Sequence, residues 1–205
     1  MEVGAGAGAS SIALAKAFKD ADKQAPIISI EKCDGSSRAG DGGFQDNLRT
    51  LKRNLSRFGV LEHVRLCALK FRERNADELL SLIGDSRIAG FMHDADGRLD
   101  RDFAVLWPGT VPGGLIVVDD YEMPDLGALS PTTAPLARKK LMIKRGLDLL
   151  IDAGMFVPER YHGTTVFGRR PDEVAAPPSV FRDLRRTVET AKQEISDRIG
   201  ASKPA

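Results

Sequence analysis

The chain has 205 residues and 30 Lys plus Arg against 29 Asp plus Glu, a formal charge of +1, which argues against a nucleic-acid or membrane partner. Its two cysteines make neither a disulfide framework nor a metal cluster. No apolar run approaches the roughly 20 residues that span a bilayer and no signal peptide precedes the first motif, so a cytoplasmic enzyme built on one α/β domain is expected.

The chain opens on Glu2-Val3-Gly4-Ala5-Gly6-Ala7-Gly8-Ala9-Ser10-Ser11. Alternating glycines suit neither helix nor strand, because glycine loses most conformational freedom on ordering. They suit a tight turn whose backbone comes close to a ligand. Ser10 or Ser11 would cap a helix running from Ser11 to Lys19. Strand end, glycine turn and helix N-terminus together make the nucleotide site of doubly wound folds; a flexible alanine-rich tail is the bland alternative. Pro26-Ile27-Ile28-Ser29-Ile30-Glu31 then reads as a buried parallel strand with a carboxylate at its end. Glu31 follows Gly8 by 23 residues, close to the roughly 20 expected between a glycine turn and a ribose-binding carboxylate. On these features the ligand is NAD or another adenosine cofactor.

Cys33 through Gly43 is Gly/Ser/Asp-rich without hydrophobic period, a surface loop able to close over substrate or an uninvolved insertion. Phe44, Leu48, Leu51, Leu55 and Phe58 space an amphipathic helix, with Arg49, Lys52, Arg53 and Arg57 on its solvated face. His63 to Cys67 is the third strand, with Cys67 a small apolar side chain, followed by Ala68-Leu69 and a short helix from Ala76 to Ile83. Ile88 to His93 is the fourth strand and ends in Asp94-Ala95-Asp96-Gly97. After a helix from Arg98 to Trp107 and a turn from Pro108 to Gly114, Leu115 to Val118 is the fifth strand, closed by Asp119-Asp120-Tyr121. Two strands thus deliver acidic residues to one carboxyl edge, where carboxylates are costly unless paired or metal-bound. Leu136 to Ala153 is helical; Met155 to Val157 and Thr164 to Phe167 read as two strands joined by Pro158 to Gly163. Pro171 to Pro178 reads as a linker. Phe181, Leu184, Val188, Ala191 and Ile195 make a last amphipathic helix, packed on the body or on a second copy as a homodimer.

The row Glu2, Gly4, Gly6, Gly8, with Glu31 ending the next strand, resembles motifs I and II of the class I S-adenosylmethionine (SAM) methyltransferases. The resemblance covers about residues 1–170. It implies a Rossmann-like doubly wound α/β sheet, mostly parallel with a C-terminal antiparallel hairpin and strand order 3-2-1-4-5-7-6. It makes residues 1–171 the methyltransferase domain and 172–205 a linker and C-terminal helix. It implies SAM as cofactor, held by Glu2, Gly4, Gly6, Gly8, Ser10, Glu31 and Asp94, with Ala68 and Leu69 beside the adenine. The chain starts inside the first strand, whereas such proteins carry helices ahead of it; either the lid comes from elsewhere or the natural start lies upstream.

Phe91-Met92-His93-Asp94-Ala95-Asp96 with Asp119-Asp120 is similar to the cation-dependent O-methyltransferases of catechol and caffeoyl-CoA type, and to sugar and antibiotic O-methyltransferases. That likeness implies a hydroxylated small-molecule substrate and Mg²⁺ held by Asp94, Asp119 and Asp120; hard carboxylate oxygens suit that ion. The alternative for the acidic group is helix capping and structural hydrogen bonding. Asp120 replaces the asparagine of the first family, and Gly97 replaces its catalytic lysine and the histidine of the second. The base must then come from Asp94, His93 or His162, each histidine having a structural alternative. A nicotinamide-dependent oxidoreductase and a SAM-binding module without catalysis are the rival functions; the absence of G-x-G-x-x-G spacing counts against the first.

Overall fold

Short β-branched runs alternate with helical periods along the chain, and the computed structural model turns that alternation into seven strands and six α-helices among the described residues. It describes residues 1–23, 25–32, 44–127, 129–173 and 178–201, with the side chains of 44–47, 178 and 201 left aside. The expected loop at 33–43, with Cys33, and positions 174–177 of the expected linker lie outside those residues. The strands are β1 (Glu2–Val3), β2 (Ile27–Glu31), β3 (Val64–Ala68), β4 (Ile88–His93), β5 (Thr110–Val118), β6 (Val157–His162) and β7 (Thr165–Arg169). They form one sheet in the order β3-β2-β1-β4-β5-β7-β6, as the resemblance implies. β1 with β2, β2 with β3, and β4 with β5 are parallel; β5–β7 and β7–β6 are antiparallel. The helices are α1 (Ala9–Asp20), α2 (Phe44–Arg57), α3 (Ala76–Ile83), α4 (Leu99–Leu106), α5 (Ala134–Asp152) and α6 (Pro178–Ala201).

The chain divides into two units, Met1–Leu82 and Ile83–Ala205. In the first, Leu51 and Leu55 of α2 are buried with Ala5, Ala15, Ile27, Val60 and Val64, and Ile12, Leu14 and Phe18 of α1 pack on that cluster. The apolar stripe expected on α2 is therefore a core face, although Phe58 at its end is half exposed, under the Lys16 ammonium.

In the second unit α6 lies along α4 and α5, and Leu184, Val188, Ala191 and Ile195 are fully buried. The alternatives left open for this helix thus resolve toward packing on its own chain. Gly146 permits the close approach: a Cβ there would stand 3.2 Å from both Leu184 Cδ1 and Leu99 Cδ1. Phe91 of β4 meets Phe103 of α4 edge-on, ring centroids 5.1 Å apart.

Two boundaries differ from the sequence reading. β5 begins at Thr110 rather than after Gly114. The Pro112-Gly113-Gly114 stretch is absorbed as an irregularity: Ile88 pairs with Thr110, but Gly90, two residues on, pairs with Leu115. Extra residues in one strand read locally as a turn, because glycine and proline serve both purposes. The C-terminal hairpin is also shifted: β6 runs through Pro158 to His162, where a connection was expected. Pro158 is tolerated because β6 is the last strand of the sheet, and the register shifts between Pro158 and Arg160.

Truncating Leu184 to alanine tests the docking of α6. It should lower unfolding free energy by about 2–5 kcal/mol, the range for a buried leucine, as measured by urea denaturation.

Candidate functional site

In the first unit the chain leaves β1 and turns through Gly4 (φ 96°), Gly6 (φ 51°) and Gly8 (φ 93°), left-handed conformations that only glycine adopts cheaply. Gly8 has a second reason to lack a side chain, since a Cβ would come within 2.6 Å of Leu51 Cδ1. The N–H groups of Gly4 and Ala5 donate to the Ile30 carbonyl at 2.9 and 3.2 Å, and that of Gly8 to the Ala5 carbonyl at 2.8 Å. Gly6 N–H donates to Glu31 Oε2 at 2.7 Å. Glu31 thereby touches the turn from the end of β2, and across from it in register is Ala68, followed by Leu69. The sequence-expected Gly4, Gly6, Gly8, Glu31, Ala68 and Leu69 all fall at this carboxyl end.

The serines do something else than cap. Gly8 is the N-cap of α1 and no side chain caps it. The Ser10 and Ser11 hydroxyls instead donate to the two oxygens of Glu2. Ser29, facing Glu2 across β1 and β2, donates to Glu2 Oε2 at 3.1 Å and lies 2.8 Å from Ser11 Oγ. Glu2 is fully buried. A buried carboxylate needs donors, and here they come from the helix that follows the turn and from the neighbouring strand β2. Expected among the cofactor residues, Glu2 and Ser10 are placed where they hold the turn together.

In the second unit His93 and Val118 end β4 and β5 as a register pair, so Asp94 and Asp119 leave the sheet side by side, and Asp119 N–H donates to the His93 carbonyl at 3.0 Å. Asp120 takes a left-handed φ of 60°, uncommon outside glycine but tolerated best by Asn and Asp. One carboxylate oxygen from each of Asp94, Asp119 and Asp120 lies within 4.8 Å of the others. Like charges at such spacing repel by about 4 kcal/mol per pair near a surface before water and salt screen them, so compensation is required. Lys139 of α5 supplies it: its Nζ is 2.9 Å from Asp94 Oδ1 and 2.6 Å from Asp120 Oδ2. Asp119 accepts from Thr165 Oγ1 at 2.7 Å and Thr164 Oγ1 at 3.2 Å. The trio is right for Mg²⁺ in number and oxygen type, but with the ammonium seated against two of its members it does not fit a divalent ion as well.

A family model described as a methyltransferase domain matches residues 1–121, more than half of the chain. The chain belongs to this methyltransferase family. No curated protein sequence matches it. Among solved structures it is similar to cofactor-bound Rv0187 from MTB (18% identity, 84% of this chain and 72% of that one covered, TM-score 0.55). It is also similar to the O-methyltransferase TomG from Streptomyces achromogenes, in complex with SAM (17%, 83% and 71%, TM-score 0.54). An O-methyltransferase from Bacillus cereus in complex with SAH shares 16% identity over 82% of this chain and 72% of that one, with TM-score 0.52. At these identities the likeness is one of fold, and the fold is that of the class I SAM-dependent methyltransferases.

The two expected histidine bases are placed differently: His93 lies inside the protein, whereas His162 pairs in register with Thr165, the donor to Asp119. His93 is fully buried and its Nδ1 lies 2.6 Å from Asp102 Oδ2 on α4. Asp102 also accepts from Arg101 Nε at 2.6 Å, and the Arg101 fork reaches Asp96 with two bonds of 3.1 Å. This chain, His93–Asp102–Arg101–Asp96, runs from three buried residues out to the exposed Asp96 and takes the second aspartate of Asp94-Ala95-Asp96 into an ion pair with Arg101. His162 is exposed beside the hairpin turn of the methyltransferase. Burial pushes the Asp94 carboxyl up, its acidic neighbours add to this, and Lys139 only partly offsets it. Burial also acts to raise Asp119, but hydrogen bonds from Thr165, the Asp120 N–H and Thr164, with the Lys139 charge, outweigh it and hold that carboxyl below the usual range. For Lys139, burial opposes the charge and Asp94 and Asp120 prevail, keeping the ammonium protonated.

Lys139, Thr164 and Thr165 were not found by sequence reasoning. Lys139 sits in the run Arg138-Lys139-Lys140, which reads as a solvated helix face. The one local signal was negative: the absent side chain at Gly97.

Two measurements follow from this geometry. Gly8→Ala combines a left-handed φ with a clash against Leu51, and should lower stability by roughly 1–3 kcal/mol in a thermal melt while also weakening ligand binding at the turn. Thr165→Val removes a donor from Asp119, so the Asp119 titration followed by carbon NMR should move up toward about 3.9, the unperturbed value. Because the folded pKa is depressed, the ionised form adds stability above the unfolded pKa, and that contribution is lost as pH falls through the folded one. The variant should therefore lose stability at neutral pH and show a shallower loss on acidification.

Proposed function

We propose that this methyltransferase transfers the methyl group of SAM to a hydroxyl oxygen of a small molecule of sugar or phenol type. The observation that carries the reading is the acidic edge. Asp94, Asp119 and Asp120 converge at the carboxyl ends of β4 and β5, where an alcohol or phenol can be oriented by carboxylate acceptors and the Lys139 donor. SAM supplies a methyl group activated on a cationic sulfur. The glycine turn fits the backbone approach that SAM needs, and Glu31 accepts hydrogen bonds from the ribose hydroxyls, with Ala68 and Leu69 lining the adenine. Orientation of the acceptor oxygen supplies much of the rate. Asp94 receives its proton: a carboxyl raised by burial is a better base than an ordinary one, and His93 is committed to Asp102. TomG and the Bacillus cereus protein, similar in fold, are both O-methyltransferases, which supports oxygen as the acceptor atom. Residues 1–171 form the catalytic domain on this reading, and 172–205 a linker and C-terminal helix.

Titration calorimetry with SAM, S-adenosylhomocysteine, NAD and NADP tests the cofactor. Micromolar binding of the first two and none of the nicotinamides is expected, and Glu31→Ala should cost about 1.5–3 kcal/mol, the range for hydrogen bonds to a charged group. Binding of NAD would return the oxidoreductase reading. SAM binding without methyl transfer to any of a panel of catechols, flavonoids and glycosides would favour a binding module.

A further inference from the structure

We propose that Lys139 is the built-in cation of the acidic edge, standing in place of a divalent metal, and that the methyl transfer proposed above, on which this inference rests, is metal-independent. Three observations carry it. The Lys139 ammonium bridges two of the three carboxylates at 2.9 and 2.6 Å, so two of the groups that a metal would have to share already hold a cation. It is largely sequestered, its side chain 20% exposed, although a lysine without partners snorkels to water. The third observation is how it gets there. Gly97, directly after the Asp94-Ala95-Asp96 stretch, has φ +81°, and a Cβ on it would lie 3.1 Å from the Lys139 carbonyl oxygen and 3.3 Å from its Cα. The missing side chain lets the backbone of α5 close on the loop after β4, and that approach delivers the ammonium. The position that lacks a cationic side chain in the loop is thus the position that admits one from the helix.

A tethered ammonium and a metal ion differ in what they leave open. Mg²⁺ keeps exchangeable positions for two substrate oxygens; an ammonium offers three hydrogen bonds in all, two of them spent on Asp94 and Asp120. The remaining N–H can meet a single acceptor oxygen. The edge therefore selects acceptors by one hydroxyl and does not require the vicinal pair that chelates a metal.

Manganese binding followed by electron paramagnetic resonance, with thermal melts in Mg²⁺ and in EDTA, tests this without relying on activity. The wild type should bind no Mn²⁺ at micromolar concentration and should melt at the same temperature in Mg²⁺ and EDTA. Lys139→Met leaves three uncompensated carboxylates; it should melt lower in EDTA, recover with Mg²⁺, and bind Mn²⁺ at least about tenfold more tightly than the wild type, since one nearby positive charge has been removed. Adding Asp94→Asn and Asp119→Asn should abolish the gained site. Lys139→Arg should keep the wild-type indifference to metal, which a role in packing alone would not require. Stoichiometric Mn²⁺ binding by the wild type, or an upward shift of its melting temperature by Mg²⁺, would overturn the proposal even if Lys139→Met failed to fold. Should no methyl acceptor be found, the metal-binding results still stand, so failure of the proposed activity and failure of this inference are separate outcomes.

Discussion

A carboxylate taken out of water has to be matched by donors or by charge, and much of this structure is arranged to do so. Glu2 is the clearest case. Fully buried, it collects hydroxyls from Ser10 and Ser11 of α1 and Ser29 of β2, and in doing so it ties the helix after the glycine turn and the neighbouring strand to β1. The left-handed glycines make the turn possible; the buried carboxylate makes it one turn and no other. Glu31 then receives Gly6 N–H on a frame already held.

The same constraint shapes the second unit twice over. At the carboxyl ends of β4 and β5, sheet geometry puts Asp94 and Asp119 next to each other, since neighbouring strands lie about 4.8 Å apart. Threonines from the β6–β7 hairpin absorb part of Asp119's demand, and Lys139 absorbs that of Asp94 and Asp120. Next to this edge, the buried His93, Asp102 and Arg101 form a chain of polar contacts that ends on the exposed Asp96. One acidic stretch, Asp94-Ala95-Asp96, is thereby divided: its first carboxylate serves the edge, its second anchors Arg101. Residues two apart on a turning chain need not share a destination.

The fold and the glycine turn were legible because their signals are local. Periods of two and 3.6, β-branched runs, a glycine row and a carboxylate at the proper distance are properties of neighbouring residues, and backbone sterics acts on neighbours. Boundaries failed where one residue type serves two purposes. Pro112-Gly113-Gly114 is absorbed within a strand rather than ending before it, and Pro158 lies inside an outer strand rather than in the connection.

By itself the sequence determined the order of elements, the strand order through its family likeness, the glycine turn with Glu31, and the delivery of aspartates to the ends of β4 and β5. Only the tertiary structure decided what those aspartates meet. Lys139 stands 45 residues from Asp94, on a helix face that reads as solvated, and its arrival depends on Gly97 letting α5 come close. It likewise decided that Ser10 and Ser11 serve Glu2 instead of capping α1. Hydrogen bonds and ion pairs select partners by distance in space, and no local pattern records which distant side chain will be there.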